Sequence, residues 1–392
     1  MDSRLFWLAL GTFAIGTEGF VISSLLPEIS ADTGVTIAQG GYLVLAFALA
    51  YALGAPVLAS ITGHRDRRLV LTGAALVFAG GNLLAGFSHT YMSLMLARIV
   101  MAFAAGLYAA TAQATAVAIS EPHHRARAIS VIVGGTTLAV AFGAPLGALI
   151  AGFAGWRGTF LAIAGLAVVA SAAIWFLLPA GLKGVRLSLA DRLGVIALPG
   201  MLPALLTTVF ILAGAFSVFT YIAPLAIHSV GLSAAVLPGL LLSFGIGGAL
   251  GNYAGGQLAD RVGATRTVFA SVILATATLA FISVIPLLPA GIAGPALIGI
   301  MVPWGLVGWA FPPGQASRVM KLAPDAPSLA LSLNGSAIYL GVALGSVVGG
   351  AVLTYGSPAD LGWVGAVLGL IALAILTLST RPAPSLAEAR LG

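Results

Sequence analysis

The sequence contains no cysteine and very few charged residues. Only 7% of its 392 residues are Asp, Glu, Lys or Arg, against roughly 25% in ordinary soluble domains. The missing cysteines exclude disulfides, thiolate zinc sites and cysteine nucleophiles. The missing charge excludes a soluble domain of this length, because too few polar side chains remain to cover its surface. Since 60% of the residues are apolar, an integral membrane protein is expected.

Long apolar runs make up most of the chain. A helix needs about 20 apolar residues to cross the hydrocarbon core of a bilayer, and twelve runs reach roughly that length. They lie at residues 5–27, 39–62, 69–87, 91–118, 128–153, 157–179, 200–227, 234–258, 265–288, 291–314, 329–354 and 361–379. The sequence therefore predicts an all-α integral membrane protein with twelve transmembrane helices. The first run is too long for a signal peptide and contains Glu18, so it is counted as helix 1.

The basic residues fall on one side of this map. Of the 17 Lys and Arg residues, 15 lie at the termini or in one alternating set of loops. The other two are Arg98 inside helix 4 and Arg157 at the mouth of helix 6. Because cytoplasmic loops are enriched in Lys and Arg, the basic loops and both termini are expected in the cytoplasm. The prediction is a multi-pass protein of the cell (inner) membrane, with no nucleic-acid partner.

The two halves of the chain match each other at a constant offset. Pro27 aligns with Pro224, and Gly34 aligns with Gly231. We therefore expect two pseudo-symmetric six-helix bundles, formed by residues 1–180 and 200–392 and joined by a cytoplasmic linker at 181–199. Membrane transporters are commonly built from such repeats, with the substrate bound between them near the midplane.

Several motifs carry a resemblance to a known family. The segment 256–266 resembles the G-x-L-A-D-R-x-G-x-x-R loop of the major facilitator superfamily. Glu18 in GTEGF, Arg98 with Gly106, and GAPLG at 143–147 resemble the twelve-helix drug:proton antiporter branch. Within that branch the chain is similar to bacterial exporters of sugars and of purine bases or nucleosides. The resemblance implies the major facilitator fold and proton-driven efflux of the multidrug-resistance type.

The same resemblance implies that cytoplasmic loops gate the transporter. The corresponding residues are Asp66, Arg67 and Arg68 in the first half and Asp260, Arg261 and Arg266 in the second. The first-half loop departs from the family pattern, because Gly63 stands at the Asp position and Asp66 at the Gly position. The gating charge is therefore expected at Asp66 or mainly at Asp260.

Two ionisable side chains lie deep inside the predicted helices. Glu18 and Arg98 are about 13 Å and 11 Å from the outer ends of helices 1 and 4, at 1.5 Å per residue. A charge at a helix centre costs about 2.5 to 3.5 kcal/mol and usually faces a cavity or a partner. We predict that Glu18 carries the proton and that Arg98 is its switchable partner; a permanent structural ion pair is the alternative. Arg157 is expected to anchor the mouth of helix 6.

Small residues recur at every fourth position of helices 2, 5, 8 and 11. Such rows allow helix backbones to approach closely in lipid. We predict that they form the sliding interface between the halves, with Pro145 bending helix 5; ordinary packing is the alternative. The interface residues of this prediction are Gly143, Pro145, Gly147, Gly247, Gly251, Gly341 and Gly345.

The substrate cavity is predicted at Tyr221, Asn252 and Asn334, because helices 7, 8 and 11 mirror the charged first half. A cavity charged on one side and uncharged on the other suits a neutral or weakly polar solute, such as a sugar, a nucleobase or a lipophilic drug. The loops supply no nucleophile with a base and an orienting acid, and no metal-ligand set. We therefore expect neither an enzyme nor a cofactor.

The resulting hypothesis is a secondary active transporter that exports a small organic molecule in exchange for protons by alternating access. Its expected partners are the small-molecule substrate, protons and the lipid bilayer, and the chain is expected to act as a monomer. Two alternatives stay open from the sequence. One is a proton-coupled uptake symporter or facilitator, and the other is a membrane sensor or scaffold that transports nothing.

Overall fold

The computed structural model describes residues 2–121, 124–183 and 194–380. Within these ranges the secondary structure is helical, apart from an isolated bridge between Asp66 and Lys183. The main helices are α1 Arg4–Thr33, α2 Ile37–Thr62, α3 Arg67–Gly86, α4 Tyr91–Ala118, α5 Arg125–Leu138, α6 Ala144–Leu177, α7 Met201–Phe219, α8 Leu237–Arg261, α9 Ala264–Val284, α10 Ala290–Leu322, α11 Pro327–Tyr355 and α12 Leu361–Ser379.

Eleven helical stretches of the described chain are long and apolar enough to cross a membrane. One of them, Arg127–Leu177, has 51 residues, about twice the length that one crossing needs. It is interrupted at Gly155, whose φ of 69° and ψ of 168° are not helical. Because this conformation is essentially restricted to glycine, the chain can turn there and cross again. Because this stretch counts as two crossings, the eleven stretches give twelve spans, and the twelve predicted spans are confirmed.

Three predicted boundaries were wrong: the ends of the first and tenth spans and the continuity of the seventh. Helix α10 runs to Leu322, eight residues beyond its predicted end. Helix α1 runs through Pro27 to Thr33, six residues beyond the predicted end, and its last turns carry acids that bind α6, as described below. The seventh run was expected to be one helix, but α7 ends at Phe219. A short helical turn at Ile222–Pro224 and a π-helical turn at Leu225–Ser229 follow it, since Pro224 has no N–H to continue the α-helical ladder.

The helix ends follow the repeat that the sequence indicates. Gly34 ends α1 with a φ of 71°, and the repeat-related Gly231 has a φ of 77°, a conformation that favours glycine. Thr36 starts α2 by accepting the N–H of Gln39, whose side chain accepts the N–H of Thr36 in return. Donors that a helix start leaves unpaired are satisfied in this way.

The helices pack as two six-helix bundles. In the first bundle α1 lies against α5 and α6, α2 against α4, and α3 against α4 and α6; in the second, α7 lies against α11 and α12, α8 against α10, and α9 against α10 and α12. Between the bundles, α2 packs on α11, and α8 packs on the segment where α5 meets α6. The second and fifth helices of each half therefore form most of the interface. Of the predicted linker, residues 184–193 lie outside the described chain.

The small-residue rows do not face this interface, so that part of the prediction was wrong. Side chains added at the glycines that form the rows of α8 and α11 would meet backbone of the same bundle, and those added at the glycines of the fifth-helix row would meet α1 of their own bundle. Gly247 and Gly251 face Val302 and Leu306 of α10, Gly341 and Gly345 face Val209 and Ala213 of α7, and Gly143 and Gly147 face Thr17 and Val21 of α1. Close packing within a bundle, the alternative considered above, describes these rows.

The chain is irregular just before Pro145. Residues Ala139–Gly143 form a π-helical turn between α5 and α6, in which the N–H of Ala144 bonds to the carbonyl of Ala139. Proline has no N–H, so the ordinary bond back to residue 141 cannot form. A π-helical turn is one way in which a helix accommodates such a gap.

The two ends of the molecule are named by their loops. The basic end carries the loops at 63–66, 119–121, 262–263 and 323–326, together with the start of α1. The opposite end carries Gly34, the loop at 87–90, Gly155 and the loop at 230–236.

Candidate functional site

The two deep charges lie against each other. Glu18 of α1 forms an ion pair with Arg98 of α4, and the side chains are 0% and 1% exposed. The Arg98 Nε donates to the carbonyl of Leu43 at 3.2 Å, and the guanidinium lies 4.4 Å from the centre of the Phe47 ring. Leu43 and Phe47 both belong to α2, so Arg98 connects α1, α4 and α2.

An aromatic contact continues from Arg98 to the second bundle. The Phe47 ring centre is 6.3 Å from that of Tyr51 and 6.5 Å from that of Tyr339. Tyr51 of α2 and Tyr339 of α11 are stacked, with ring centres 3.6 Å apart and 18° between the planes. The stack therefore joins the two bundles beside the ion pair.

A second aromatic contact crosses the interface from the helix that carries Glu18. The Phe20 ring centre lies 6.1 Å from that of Phe216, 5.6 Å from that of Phe219 and 5.9 Å from that of Trp309. Phe20 belongs to the first bundle and the other three to the second. The helix that carries Glu18 is therefore also in aromatic contact with the second bundle.

The bundles are in direct contact at the opposite end. Ser346 of α11 donates to the carbonyl of Gly41 in α2 at 2.6 Å. The hydroxyl of Tyr221 donates to the carbonyl of Ser346 at 2.8 Å and occupies the space that a Cβ at Gly41 would need. Only a glycine permits this approach. Tyr221 is fully buried, so it lies in the closed contact between the bundles.

Toward the basic end α2 and α11 separate, and a cavity opens between them and α4. Its volume is about 360 Å³, within the range of small-molecule sites. Ser336 lies on its wall and donates to the carbonyl of Ala52 at 3.1 Å. The polar lining residues are Tyr51, Thr62, Arg65, Arg67, Thr111, Gln113, Ser328, Ser332 and Ser336.

The three residues predicted to line the substrate cavity do not line this one. Asn334 is 5% exposed and accepts a hydrogen bond from Thr208 at 2.9 Å inside the second bundle. Asn252 lies between the bundles, where its Nδ2 is 3.5 Å from the Thr137 hydroxyl. With Tyr221 at the closed end, none of the three lines the cavity at the basic end, and their part in substrate binding stays a prediction.

One sequence signal could have located the cavity. Ser328, Ser332 and Ser336 follow one another at four-residue spacing in α11, which places them on one helix face. The prediction followed mirror symmetry with the charged first half and overlooked this row. Tyr51 and Gln113 are isolated polar groups in apolar helices and carry no comparable spacing.

The predicted gating residues of the first half bind within that half and to the start of the linker. Asp66 accepts the N–H of Arg68 at 2.9 Å and the N–H of Gly181 at 2.7 Å. Arg67 donates to the carbonyl of Ala114 at 2.6 Å. The Arg68 guanidinium stacks 4.4 Å from the Trp175 ring centre. Asp66, which stands at the Gly position of the family pattern, therefore caps α3 and contacts the linker.

The corresponding residues of the second half, Asp260, Arg261 and Arg266, have exposed side chains at the end of α8 and the start of α9. Gly263 occupies the repeat position of Asp66 and has a φ of 98°. This conformation favours glycine, whereas Asp66 has a φ of −62° and caps its helix with its side chain. The two loops thus begin their following helices by different means.

Arg157 anchors the mouth of the sixth span, as predicted. Its Nη1 donates to Asp32 at 2.6 Å, and its Nε and Nη2 donate to the carbonyl of Ser88 at 3.1 Å and 2.8 Å. Its guanidinium lies 4.2 Å from the ring centre of Trp156. These contacts hold the extended end of α1 and the loop before α4 against the turn at Gly155.

Comparison with known proteins agrees with this architecture. The model of the Major Facilitator Superfamily matches residues 8–328. The inner membrane transport protein YdhP of Escherichia coli K12 is 35% identical over 383 residues, covering 96% of each chain. A chloramphenicol resistance protein of Streptomyces lividans is 31% identical over 397 residues, covering 98% of this chain and 99% of that protein.

Solved structures show the same fold. A bacterial homologue of the human lysosomal transporter Spinster superposes with a TM-score of 0.76 at 16% identity, covering 97% of this chain and 98% of the other. A mutant of the nucleoside transporter NupG superposes with a TM-score of 0.76 at 13% identity, covering 97% and 100%. The chain belongs to the Major Facilitator Superfamily, and it is accordingly a membrane transporter and not an enzyme.

Proposed function

We propose that this transporter exports a small organic molecule in exchange for protons, and that Glu18 carries the proton. The observation that carries this proposal is the ion pair of Glu18 with Arg98, both fully enclosed by helices. Intramembrane ionisable residues are expensive and are functional by default. Among the described residues, Glu18 is the carboxylate placed midway along a spanning helix, so a proton passing through side chains would use it.

The ion pair gives protonation a mechanical consequence. A carboxylate and a guanidinium attract strongly in a medium of low dielectric constant, and a neutral carboxyl group loses most of that attraction. Protonation of Glu18 therefore releases Arg98 from α1. Because Arg98 also contacts Leu43 and Phe47 of α2, its release changes how α2 is held against the first bundle.

The helix that would be released also forms the interface between the bundles. Its Tyr51 stacks on Tyr339 of α11, and its Gly41 accepts from Ser346 of α11. A shift of α2 therefore alters the α2–α11 contact, which is closed toward the opposite end and open toward the basic end. Rocking of two bundles around a central site is how transporters built from repeats alternate access.

The positions of the basic loops support a cytoplasmic opening. Positive residues collect on cytoplasmic loops, so the cavity at the basic end faces the cytoplasm and both termini lie there. The solved Spinster homologue is in an inward-facing, occupied conformation, which is consistent with a cavity that opens to the cytoplasm. The relative that confers chloramphenicol resistance favours a drug-like solute and the outward direction.

The proton gradient supplies enough energy for useful export. Moving one charge through 100 mV is worth about 2.3 kcal/mol, which supports roughly fifty-fold accumulation of solute per proton. One proton on one carboxyl group is therefore sufficient for an efflux pump.

The test uses the purified full chain in liposomes, with chloramphenicol as the first solute. A pH gradient that drives protons opposite to the solute should drive accumulation by the wild type. Glu18→Gln should still exchange labelled for unlabelled solute but lose its response to the gradient, since glutamine carries no proton. Glu28→Gln is the matched control, because Glu28 lies on the same helix near the opposite end and accepts the N–H of Trp156 at 3.3 Å. A thermal-shift screen of drugs, sugars and nucleosides supplies further solutes.

Each alternative predicts a different result. Full gradient-driven accumulation by Glu18→Gln would contradict the assignment of the proton carrier. Accumulation only when protons and solute move in the same direction would identify an uptake symporter. Binding without any flux would identify a sensor or scaffold.

A further inference from the structure

The cavity at the basic end is positively charged. Arg65 and Arg67 line it from the loop before α3 and from the first turn of α3, and the part of the lining that the structure describes contains no Asp or Glu. Asp66 lies between the two arginines in sequence, but its oxygens accept the N–H groups of Arg68 and Gly181. Its carboxylate therefore lies against the helix start and the linker, and Asp66 is not part of the lining.

Glu18, the acid deep in α1, does not offset the positive charge of the cavity. Glu18 is fully buried and paired with Arg98, and it is not among the residues that line the cavity. A carboxylate in direct contact with a guanidinium contributes little net potential at a distance. A solute that enters from the basic end therefore meets two guanidinium groups and no uncompensated carboxylate of the lining.

The remaining lining indicates the shape of the solute. Tyr51 lines the cavity with the part of its ring that the stack on Tyr339 leaves uncovered, and aromatic rings favour other flat rings in offset or edge contacts. Gln113 and Ser328 have exposed side chains that can hydrogen bond. Much of the remaining wall is formed by small residues that leave space for a flat ring, among them Ala55, Ala59, Gly106, Ala109, Ala110 and Gly335.

We propose that this cavity selects planar aromatic solutes that are neutral or carry one negative charge, and that it excludes organic cations. This inference rests on the proposed function, because it takes the cavity to be the place where the exported solute binds. Charges near a partly buried site give a discrimination of about tenfold or more between an anion and a cation of equal shape.

The test compares three ligands that share one ring system: naphthoate, naphthylmethanol and naphthylmethylammonium. Their binding to the purified full chain in detergent is measured by equilibrium dialysis, without a proton gradient. Naphthoate and naphthylmethanol should bind, and naphthylmethylammonium should bind about tenfold more weakly or less. Arg65→Gln should reduce the preference for the anion several-fold. Lys321→Gln is the control, because Lys321 is an exposed cationic residue at the same end of the other bundle and is not in the lining.

A second pair of variants tests the location. Gly335 lines the cavity, and a Cβ placed there meets no atom within 4 Å, so Gly335→Leu should fold normally and occupy part of the space that a flat ring needs. Its control is Gly299→Leu in α10, where a Cβ also meets no atom within 4 Å and which is outside the lining. Naphthoate binding should be largely lost in Gly335→Leu and unchanged in Gly299→Leu.

Several results would overturn the inference: no binding of any of the three ligands, equal binding of the cation and the anion, an equal effect of Arg65→Gln and Lys321→Gln, or undiminished binding by Gly335→Leu. Because no gradient is used, these outcomes are independent of the transport test. Charge-selective binding combined with no gradient-driven flux would contradict the proposed function and leave the selectivity of the cavity established.

Discussion

At the scale of single residues, the pair of Glu18 and Arg98 is held in a place where neither charge could stay alone. Removing one partner of a buried ion pair typically costs 3–5 kcal/mol, because the other charge stays buried without compensation. Both residues could be identified from the sequence, since they are the charges deep in the spans and lie at similar depth. Their direct contact is present in the structure, and their part in proton coupling stays a prediction.

We expect Arg98→Met to lower the stability of the folded protein by about 3 kcal/mol or to force Glu18 to stay protonated. The double variant Glu18→Gln with Arg98→Met should recover most of the lost stability, because no charge is then left in the core. Thermal unfolding of the detergent-purified proteins at neutral pH compares the two. Equal melting temperatures for the single and the double variant would show that the carboxylate gains little from its arginine.

At the scale of helices, the interface depends on which face each helix presents. In α8, Gly247 and Gly251 face α10 of their own bundle, whereas a Cβ at Gly245 would meet Val140 and Ala141 of the other bundle. These positions differ by only two residues along the chain.

We therefore expect leucine substitutions at two glycines to have different consequences. At Gly345, a side chain would meet Ala213 and Ser217 of the neighbouring α7, so Gly345→Leu should disrupt the second bundle and reduce the yield of folded protein. Gly245→Leu should leave each bundle packed but prevent α8 from closing on the π-helical turn. Size-exclusion profiles and solute exchange distinguish the two effects. Gly345→Leu should aggregate, whereas Gly245→Leu should be monodisperse and should exchange solute slowly. A monodisperse, fully active Gly245→Leu would place the moving contact elsewhere.

This contrast shows what the sequence could predict. The twelve spans, the two bundles and the helices of the interface follow from apolar length, repeat and resemblance. The orientation of a small-residue row does not, because a four-residue spacing fixes that the residues share a face and says nothing about which neighbour the face meets. The turn at Gly155 lies in the gap predicted between the runs 128–153 and 157–179. The extension of α1 to Thr33 was not predicted, because its last turn carries a tertiary contact, the pairing of Asp32 with Arg157, that the pattern of one helix does not record. The cavity is set by where α2 and α11 diverge, which no single helix pattern records.

At the scale of the whole molecule, the two bundles contact each other along α2 and α11 between the opposite end and the stacked rings of Tyr51 and Tyr339. From these rings toward the basic end, the two helices separate. The closed part contains the hydrogen bond of Ser346 to Gly41 and the stack of Tyr51 on Tyr339. The open part is the cavity at the basic end. A transporter in this arrangement is accessible from one side of the membrane, and the reverse arrangement must follow before solute can leave on the other side.

Because the natural chain has no cysteine, single cysteines can report this arrangement without background. Four variants suffice: Ser332→Cys in the cavity, Ser346→Cys in the closed contact, and Arg261→Cys and Ala235→Cys as exposed controls at the basic and opposite ends. A membrane-impermeant maleimide should label Ser332→Cys and Arg261→Cys in inside-out vesicles and Ala235→Cys in right-side-out vesicles. Ser346→Cys should resist labelling from either side at rest, since its side chain is fully buried.

Solute exchange during turnover should then make Ser346→Cys reactive from outside, as the bundles separate there. Labelling of Ser332→Cys from outside would reverse the sidedness inferred from the basic loops, and a Ser346→Cys that stays protected during active exchange would contradict opening between α2 and α11.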